Sequence, residues 1–288
     1  MSLSDKELKN RFKNIKLIVS DIDGTLVNST NEISDMTVDI VKKLKKKNIL
    51  FSLASQRSHS SIIPLADILE IDIPVISING ALIQNKKGDL ILNKSVIDKK
   101  YTEKAIKLAD ENYIKIALCY NDKIIYTEDN SVLKDFMSRL GTTYRMVDSY
   151  DDYTDDVLEI IMLGNDRITM KKVQKKMIPP FGMFLKIKYY RSQNFQGVYN
   201  IEILRKGVNK KTGLKLLTKY LNIKKNEVMV FGDWYNDRDL FQYGGTNIAL
   251  DNAVEELKEM ADYVSEKSND EDGIGHFLKM FYDSIVKS

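Results

Sequence analysis

Three short apolar runs near the amino end, separated by segments of helical periodicity, restrict this chain more than any other feature. The first, IKLIVS from Ile15 to Ser20, is rich in β-branched residues and ends in an Asp-Gly turn signal, the pattern of a buried strand. From Ser34, a residue suited to cap a helix, Met36, Ile40, Val41 and Leu44 recur at helical spacing, with Lys42, Lys43, Lys45, Lys46 and Lys47 largely on the other faces. The run ILFSLAS follows at once, a second helical pattern covers Ser60 to Leu69, and PVISI leads into Asn79-Gly80. Strand, helix, strand, helix, strand in that order builds a parallel sheet through right-handed crossovers, with helices on both faces. The carboxyl-terminal part repeats the rhythm. A helix from about Asn209 to Tyr220, the strand EVMVFG, a helix near Asp237 to Tyr243, the run TNIAL and a helix from Val254 to Ala261 are predicted to complete the same sheet.

Between these parts the texture changes to alternating segments such as KIALCYNDKIIYT, VLEIIML and FLKIKYYR, with helical stretches such as Tyr101 to Asp110. Alternation predicts half-exposed antiparallel strands. The expected fold class is therefore α/β: a doubly wound, Rossmann-like parallel-sheet core from 1–83 and 205–288, with an inserted α+β cap domain over 84–204.

With 44 basic and 41 acidic residues the net charge is +3, which gives little support for nucleic acid or a membrane as partner, so the lysine-rich helix reads as a solvated face. The single cysteine, Cys119, excludes an intramolecular disulfide and any multi-cysteine metal site, and suits a reducing cytosol. His59 and His276 are too few and too isolated for a zinc-hydrolase constellation and read as ordinary polar positions. The chain has no apolar run of about 18 residues and opens on a charged, polar segment unlike a secretory signal, so a cytoplasmic location is expected.

Chemistry enters where the strands end. Directly after the first come Asp21, Ile22, Asp23, Gly24 and Thr25; residues two apart in extended chain point the same way, so both carboxylates are expected to face one pocket while Ile22 turns to the core. In open α/β sheets that pocket lies at the carboxyl ends of the strands. A polar turn explains DIDG taken alone. A calcium loop does not, because Leu26 occupies the sixth position, where that loop needs glycine, and a strand precedes it instead of a helix. Downstream, VMVFGDWYND sets Asp233, Asn236 and Asp237 after another apolar strand. Carboxylates converging from two strand ends repel, and a hard divalent cation with oxygen ligands relieves this; magnesium suits few carboxylates and a phosphate-bearing substrate. Arg57 and Asn79 each follow a core strand at its carboxyl end and are candidate substrate neighbours.

Asp21-Ile-Asp23-Gly-Thr25 resembles the first motif of the haloacid dehalogenase superfamily, and Gly232-Asp233-Trp-Tyr-Asn236-Asp237 its fourth. Ser55 matches the second-motif hydroxyl and Lys210, in GVNKKTGLKLL, the third-motif lysine. SINGALI, NAVEELKEMADYVS and EDGIG resemble the Cof-type, or type IIB, subgroup, whose cap lies between the second and third motifs. One departure is Ser55-Gln56-Arg57 where the subgroup commonly reads Thr-Gly-Arg; Gln56 adds bulk where glycine lets backbone approach a phosphate.

The resemblance implies a phosphatase acting on a small phosphomonoester, a sugar phosphate or a nucleotide or cofactor phosphate, with the inserted domain setting specificity. Asp21 would be the nucleophile and Asp23 the acid and base. Mg2+ would be held by the Asp21 carboxylate, the Asp23 carbonyl and Asp233. Ser55 and Lys210 would bind the phosphoryl oxygens, with Asn236 at the phosphate and Asp237 supporting Lys210 and the metal shell. Lys210 opens a helix that Asn209 can cap, an arrangement that favours anions. A phosphomutase would use the same motifs and return the phosphoryl group to substrate. A receiver module phosphorylated on aspartate predicts a far shorter chain and no acid two positions after the nucleophile. A nucleic-acid module needs a basic stripe with aromatics.

Overall fold

The computed structural model describes residues 5–127, 143–178, 183–192 and 195–286. The first part of the chain runs α1 (Asp5–Phe12), β1 (Leu17–Ser20), α2 (Asp35–Lys45), β2 (Leu50–Leu53), α3 (His59–Ile68), β3 (Val75–Ser77), β4 (Leu82–Gln84) and β5 (Ile91–Lys94). The middle runs α4 (Lys99–Glu111), β6 (Lys115–Cys119), β7 (Lys123–Tyr126), β8 (Thr143–Met146), β9 (Glu159–Gly164), α5 (Arg167–Met177), β10 (Leu185–Arg191) and β11 (Tyr199–Arg205). The last part runs α6 (Lys210–Leu221), β12 (Val228–Gly232), α7 (Arg238–Phe241), β13 (Thr246–Ala249), α8 (Glu255–Met260), β14 (Tyr263–Val264) and α9 (Gly273–Val286). The described residues form two compact units, one within Met1–Ser55, Ile62–Asn93 and Asn209–Ser288, the other within Gln56–Ser61 and Lys94–Val208. Among them no helix is long and apolar enough to cross a membrane.

The first unit is built on a parallel sheet of order β14-β13-β12-β1-β2. β1 lies between β12 and β2, with Val19 in register with Val230 on one side and Ser52 on the other, so the chain departs to opposite sides of β1. That reversal opens a crevice at the carboxyl ends of β1 and β12. Both sheet faces are covered, which is why the strands read as continuous apolar runs. One face carries Ile18, Phe51, Phe231, Ile248 and the apolar sides of α1, α2 and α9; the other carries Val19, Val230, Leu214, Leu217 and Leu240. Helix α2 shows the logic: Ser34 accepts from the Thr37 amide at its start, and Thr37, Ile40, Val41 and Leu44 form the buried stripe.

β3 departs from expectation. Its apolar run belongs to a three-stranded sheet with β4 and β5, pairs antiparallel with β4, and borders β2 of the parallel sheet through an isolated parallel bridge between Ala54 and Ile76. The reason is the turn that follows. Ile78, Asn79 and Gly80 take φ values of 48°, 53° and 98°, and this left-handed turn folds the chain back. A β-branched residue at positive φ is strained, and the turn is held by neighbours: the Asn79 amide donates to the Ser55 carbonyl and Asn93 Nδ2 to the Gly80 carbonyl.

In the second unit the sheet order is β10-β11-β9-β6-β7-β8. Two expectations are corrected here. β7 and β8 pair in parallel, while the other pairs of this sheet are antiparallel as expected; residues 128–142, between them, lie outside the described ones. β6 and β9 are buried rather than half-exposed, although β9 begins with Glu159. One face holds Ile116, Leu118, Ile160, Met162, Ile201 and Ile203 under α4 and α5, and the opposite face buries its polar positions too, including Glu159, Asn200 and Glu202. Glu202 is satisfied there by Gln56 Nε2, at 2.8 Å, and by the Tyr190 hydroxyl. Alternation thus marked two different buried faces.

Gly80 should tolerate no side chain: at φ +98° an added Cβ would stand 2.5 Å from the backbone carbonyl oxygen of Asn209, the residue whose side chain caps α6. Gly80→Ala should destabilise the protein by about 1–3 kcal/mol in urea unfolding, and the displaced start of α6 should lower activity in the fraction that remains folded. An unchanged unfolding midpoint would contradict this role of the turn.

Candidate active site

Asp21 follows β1 and Asp233 follows β12, and the two strands are paired up to Ser20 and Phe231, so the sheet register itself brings the carboxylates together. The Asp21 amide donates to the Phe231 carbonyl, continuing the ladder by one residue. Ile22 is fully buried and its carbonyl accepts from the amides of Thr25, Leu26 and Val27, which coils the chain into a tight turn. Asp21 is 4% exposed, whereas Asp23 stands at the surface of that turn. Thr25 Oγ1 donates to Asp233 Oδ1 at 2.6 Å, tying the two acid-bearing loops.

Lys210 enters from α6. Asn209 caps this helix with a reciprocal pair of bonds to Thr212, and Gly213 lets it approach β3, since a Cβ there would lie 2.7 Å from Ile76. The ammonium, 1% exposed, donates to Asp21 Oδ1 at 2.5 Å and to Asp237 Oδ1 at 2.6 Å. Asp237 is wholly buried and its second oxygen accepts from the amides of Asp233 and Trp234. It is therefore committed to Lys210 and to shaping its own loop.

Potential metal-ligating oxygens of Asp21, Asp233 and Asp237 lie within 4.8 Å of one another. Because both oxygens of Asp237 are engaged, the freer ones belong to Asp21 and Asp233. Gly24, at φ +78°, makes room for them: a Cβ there would stand 2.4 Å from Asp233 Oδ2. This all-oxygen set can hold a hard divalent cation. Burial pushes the Asp21 carboxyl well above its ordinary range, reinforced by Asp237, Asp233 and Asp23 and opposed by Lys210. Asp233 is pushed up to about 7 by burial first and Asp237 second, against the Thr25 hydrogen bond and Lys210. Burial alone would lower the Lys210 pKa, but Asp21 and Asp237 outweigh it, so the lysine is held charged.

Of the residues singled out from the sequence, Asp21, Asp233, Asp237 and Lys210 come together in one buried cluster, with Asp23 on the adjoining turn. Ser55, buried, follows β2 and is fixed by bonds from its amide to Ile76 and from Asn79 to its carbonyl. Asn79 lies in the left-handed turn. Asn236 lies between Asp233 and Asp237, and its buried Oδ1 has no hydrogen-bond partner among the described residues. Arg57 is buried in the short stretch that belongs to the second unit. Sequence reasoning missed the bond of Thr25 to Asp233, and a further residue, Asn252, whose Nδ2 donates to the Gly24 carbonyl at 2.8 Å. Thr25 lay within the first motif, and Asn252 opens the segment NAVEELKEMADYVS, whose resemblance to the subgroup marked the segment without assigning this residue a contact.

Residues 18–278 match the model of the haloacid dehalogenase-like hydrolases, and the chain belongs to that family. A haloacid dehalogenase-like hydrolase from Bacteroides thetaiotaomicron superposes with a TM-score of 0.82 at 26% identity, covering 92% of this chain and 99% of that one. A subclass IIB sugar phosphatase shares the fold with a TM-score of 0.75 at 24% identity, covering 93% of this chain and 99% of that one. A Bacillus subtilis relative named 5-amino-6-(5-phospho-D-ribitylamino)uracil phosphatase is 25% identical over 291 residues, 92% of this chain and 97% of its own. The protein is thus an enzyme, a hydrolase of this family, and its relatives include proteins named phosphatases.

A proton and a divalent cation should compete for Asp233. Its folded pKa, near 7, lies above the ordinary 3.8, so between those values the fold binds more protons than the unfolded chain. Without cation, stability should therefore fall as pH rises through that window. Magnesium should raise the melting temperature strongly near about pH 8 and little near about pH 5.5; equal shifts at both would exclude Asp233 as a ligand.

Proposed function

We propose that the protein is a magnesium-dependent phosphatase that hydrolyses small phosphomonoesters, sugar phosphates or nucleotide and cofactor phosphates, through an aspartyl-phosphate on Asp21. The observation that carries this reading is the buried Asp21 carboxylate, bonded to Lys210 on one oxygen and facing Asp233 across the crevice. The name of the Bacillus subtilis relative supports a small phosphorylated metabolite as substrate class.

In this mechanism an Asp21 oxygen attacks phosphorus in line, forming the acyl phosphate as the ester P–O bond breaks. Asp23 gives its proton to the departing alkoxide and then takes one from the water that attacks the phosphorylated Asp21, restoring the carboxylate. Lys210 and the Ser55 hydroxyl bind the phosphoryl oxygens as charge spreads over them. Asn236, through its amide NH2, is assigned to the phosphate, and Arg57 and Asn79 to the neighbourhood of the substrate. Mg2+, held by Asp21, Asp233 and the Asp23 carbonyl, would supply the positive charge that lets a carboxylate approach a phosphate dianion. Asp237 keeps Lys210 in place. Substrate selection is assigned to the inserted region 84–204.

Asp21→Asn should abolish turnover, whereas Asp23→Asn should lose about 10²–10⁴-fold with an alkyl phosphate yet still react with an activated aryl phosphate. Intact-mass spectrometry after brief mixing with the aryl ester and magnesium should detect a phosphate adduct on Asp23→Asn and none on Asp21→Asn. An adduct on both, or on another residue, would overturn the mechanism. Replacing 84–204 with a short linker should reorder a substrate panel while leaving the magnesium requirement intact; an unchanged ranking would remove specificity from the inserted region.

A further inference from the structure

The turn that bears Asp23 is gripped unevenly. Ile22, Leu26 and Val27 are buried beneath it, and Thr25 is tied to Asp233, but Asp23 itself is exposed and Gly24 follows at φ +78°. The peptide that follows the acid is a glycine, the residue whose backbone rotates most easily. The 250–254 loop after β13 holds that peptide. Its Val254 amide donates to the Asp233 carbonyl at 2.9 Å, which joins this loop to the second acid-bearing loop. Asn252 then reaches across: Nδ2 donates to the Gly24 carbonyl at 2.8 Å, and Oδ1 accepts from the Asn269 amide at 3.0 Å. Asn269 Nδ2 donates to the Val27 carbonyl at 3.0 Å, and Asp270 Oδ1 accepts from the Ser29 amide at 2.6 Å. An exposed loop asparagine generally spends its amide on water; both ends of this one are occupied by backbone of different segments.

We propose that Asn252 is a positioning residue for Asp23, clamping the Gly24 carbonyl so that the acid keeps its place relative to Asp233; this rests on the proton-transfer role given to Asp23 above. Asn252 touches no reacting atom. It acts through the peptide that follows the acid, and a misplacement of ~1 Å at a proton donor can lower rate by about 10²-fold.

Two variants separate the donor from the rest of the side chain. Asn252→Ala removes both bonds, while Asn252→Asp keeps an acceptor for Asn269 and removes the donor to Gly24. Asn252 is exposed, so both should fold, which thermal unfolding checks. For each, kcat/KM with an alkyl phosphate, whose leaving group needs a proton, should fall about 10-fold to 10²-fold, and kcat/KM with 4-nitrophenyl phosphate should change by less than about threefold. Hydrogen exchange should quicken over residues 24–30 in both variants. Parallel losses on the two esters, or no loss on either, would overturn the proposal, as would unchanged exchange over 24–30. If the unaltered protein turned over no phosphomonoester, the phosphatase reading would fall, and the exchange measurement would still decide whether Asn252 clamps the turn.

Discussion

A lysine ammonium buried between two aspartates, Asp21 and Asp237, governs how the first unit is put together. A charged group that far from water is tolerable only when paired at close range, and removing one partner of such a pair typically costs about 3–5 kcal/mol. The surrounding chain is shaped to keep the geometry. Asn209 fixes the first turn of α6, Gly80 and Gly213 allow that turn to sit against β3 and its left-handed corner, and Asp237 winds the loop after β12 around its second oxygen through two backbone amides. Lys210, Asp233 and Asp21 are thus held by one continuous set of bonds running from β1 to β12 to α6.

The same arrangement works against itself in the absence of added positive charge. Three carboxylates share a buried space with one ammonium, and the upward displacement of Asp21 and Asp233 registers that deficit. A fold selected for stability alone would replace one of these acids. Keeping them leaves a crevice that gains most from binding a cation and an oxygen-rich ligand together, which is the way a site trades stability for chemistry.

Much of this was legible in the sequence because it follows from period and order. The apolar runs of β1, β2 and β12, the stripe of α2 and the caps Ser34 and Asn209 are local patterns, and two acid-rich strand ends in one parallel sheet must converge. What was illegible depends on contacts between distant segments. β3 leaves the parallel sheet because of the φ values of three residues after it, which composition does not reveal. β9 reads as an alternating, half-exposed strand, yet its Glu159 and the neighbouring Glu202 are buried, the latter bonded to Gln56 from a stretch almost 150 residues earlier in the chain. Asn252 opens a segment that resembles the subgroup, but its contact arises only when β13 lies beside β12 and its loop meets Gly24.

Asp21 and Asp23 are two residues apart and of one chemical type, and the fold gives them different surroundings. Asp21 is sealed beside Lys210, where its ionisation depends on how much positive charge stands near it; Asp23 faces solvent on a turn held at its edges. In the proposed mechanism that difference divides the labour, since a nucleophile must be an anion held still and a proton carrier must reach both leaving group and water. Burial and the neighbouring carboxylates push the Asp21 carboxyl upward against the opposing pull of Lys210. Positive charge arriving with the substrate would favour the ionised form of Asp21 at the same moment that it brings phosphorus beside the carboxylate, so in the proposed mechanism binding and activation of the nucleophile are one event.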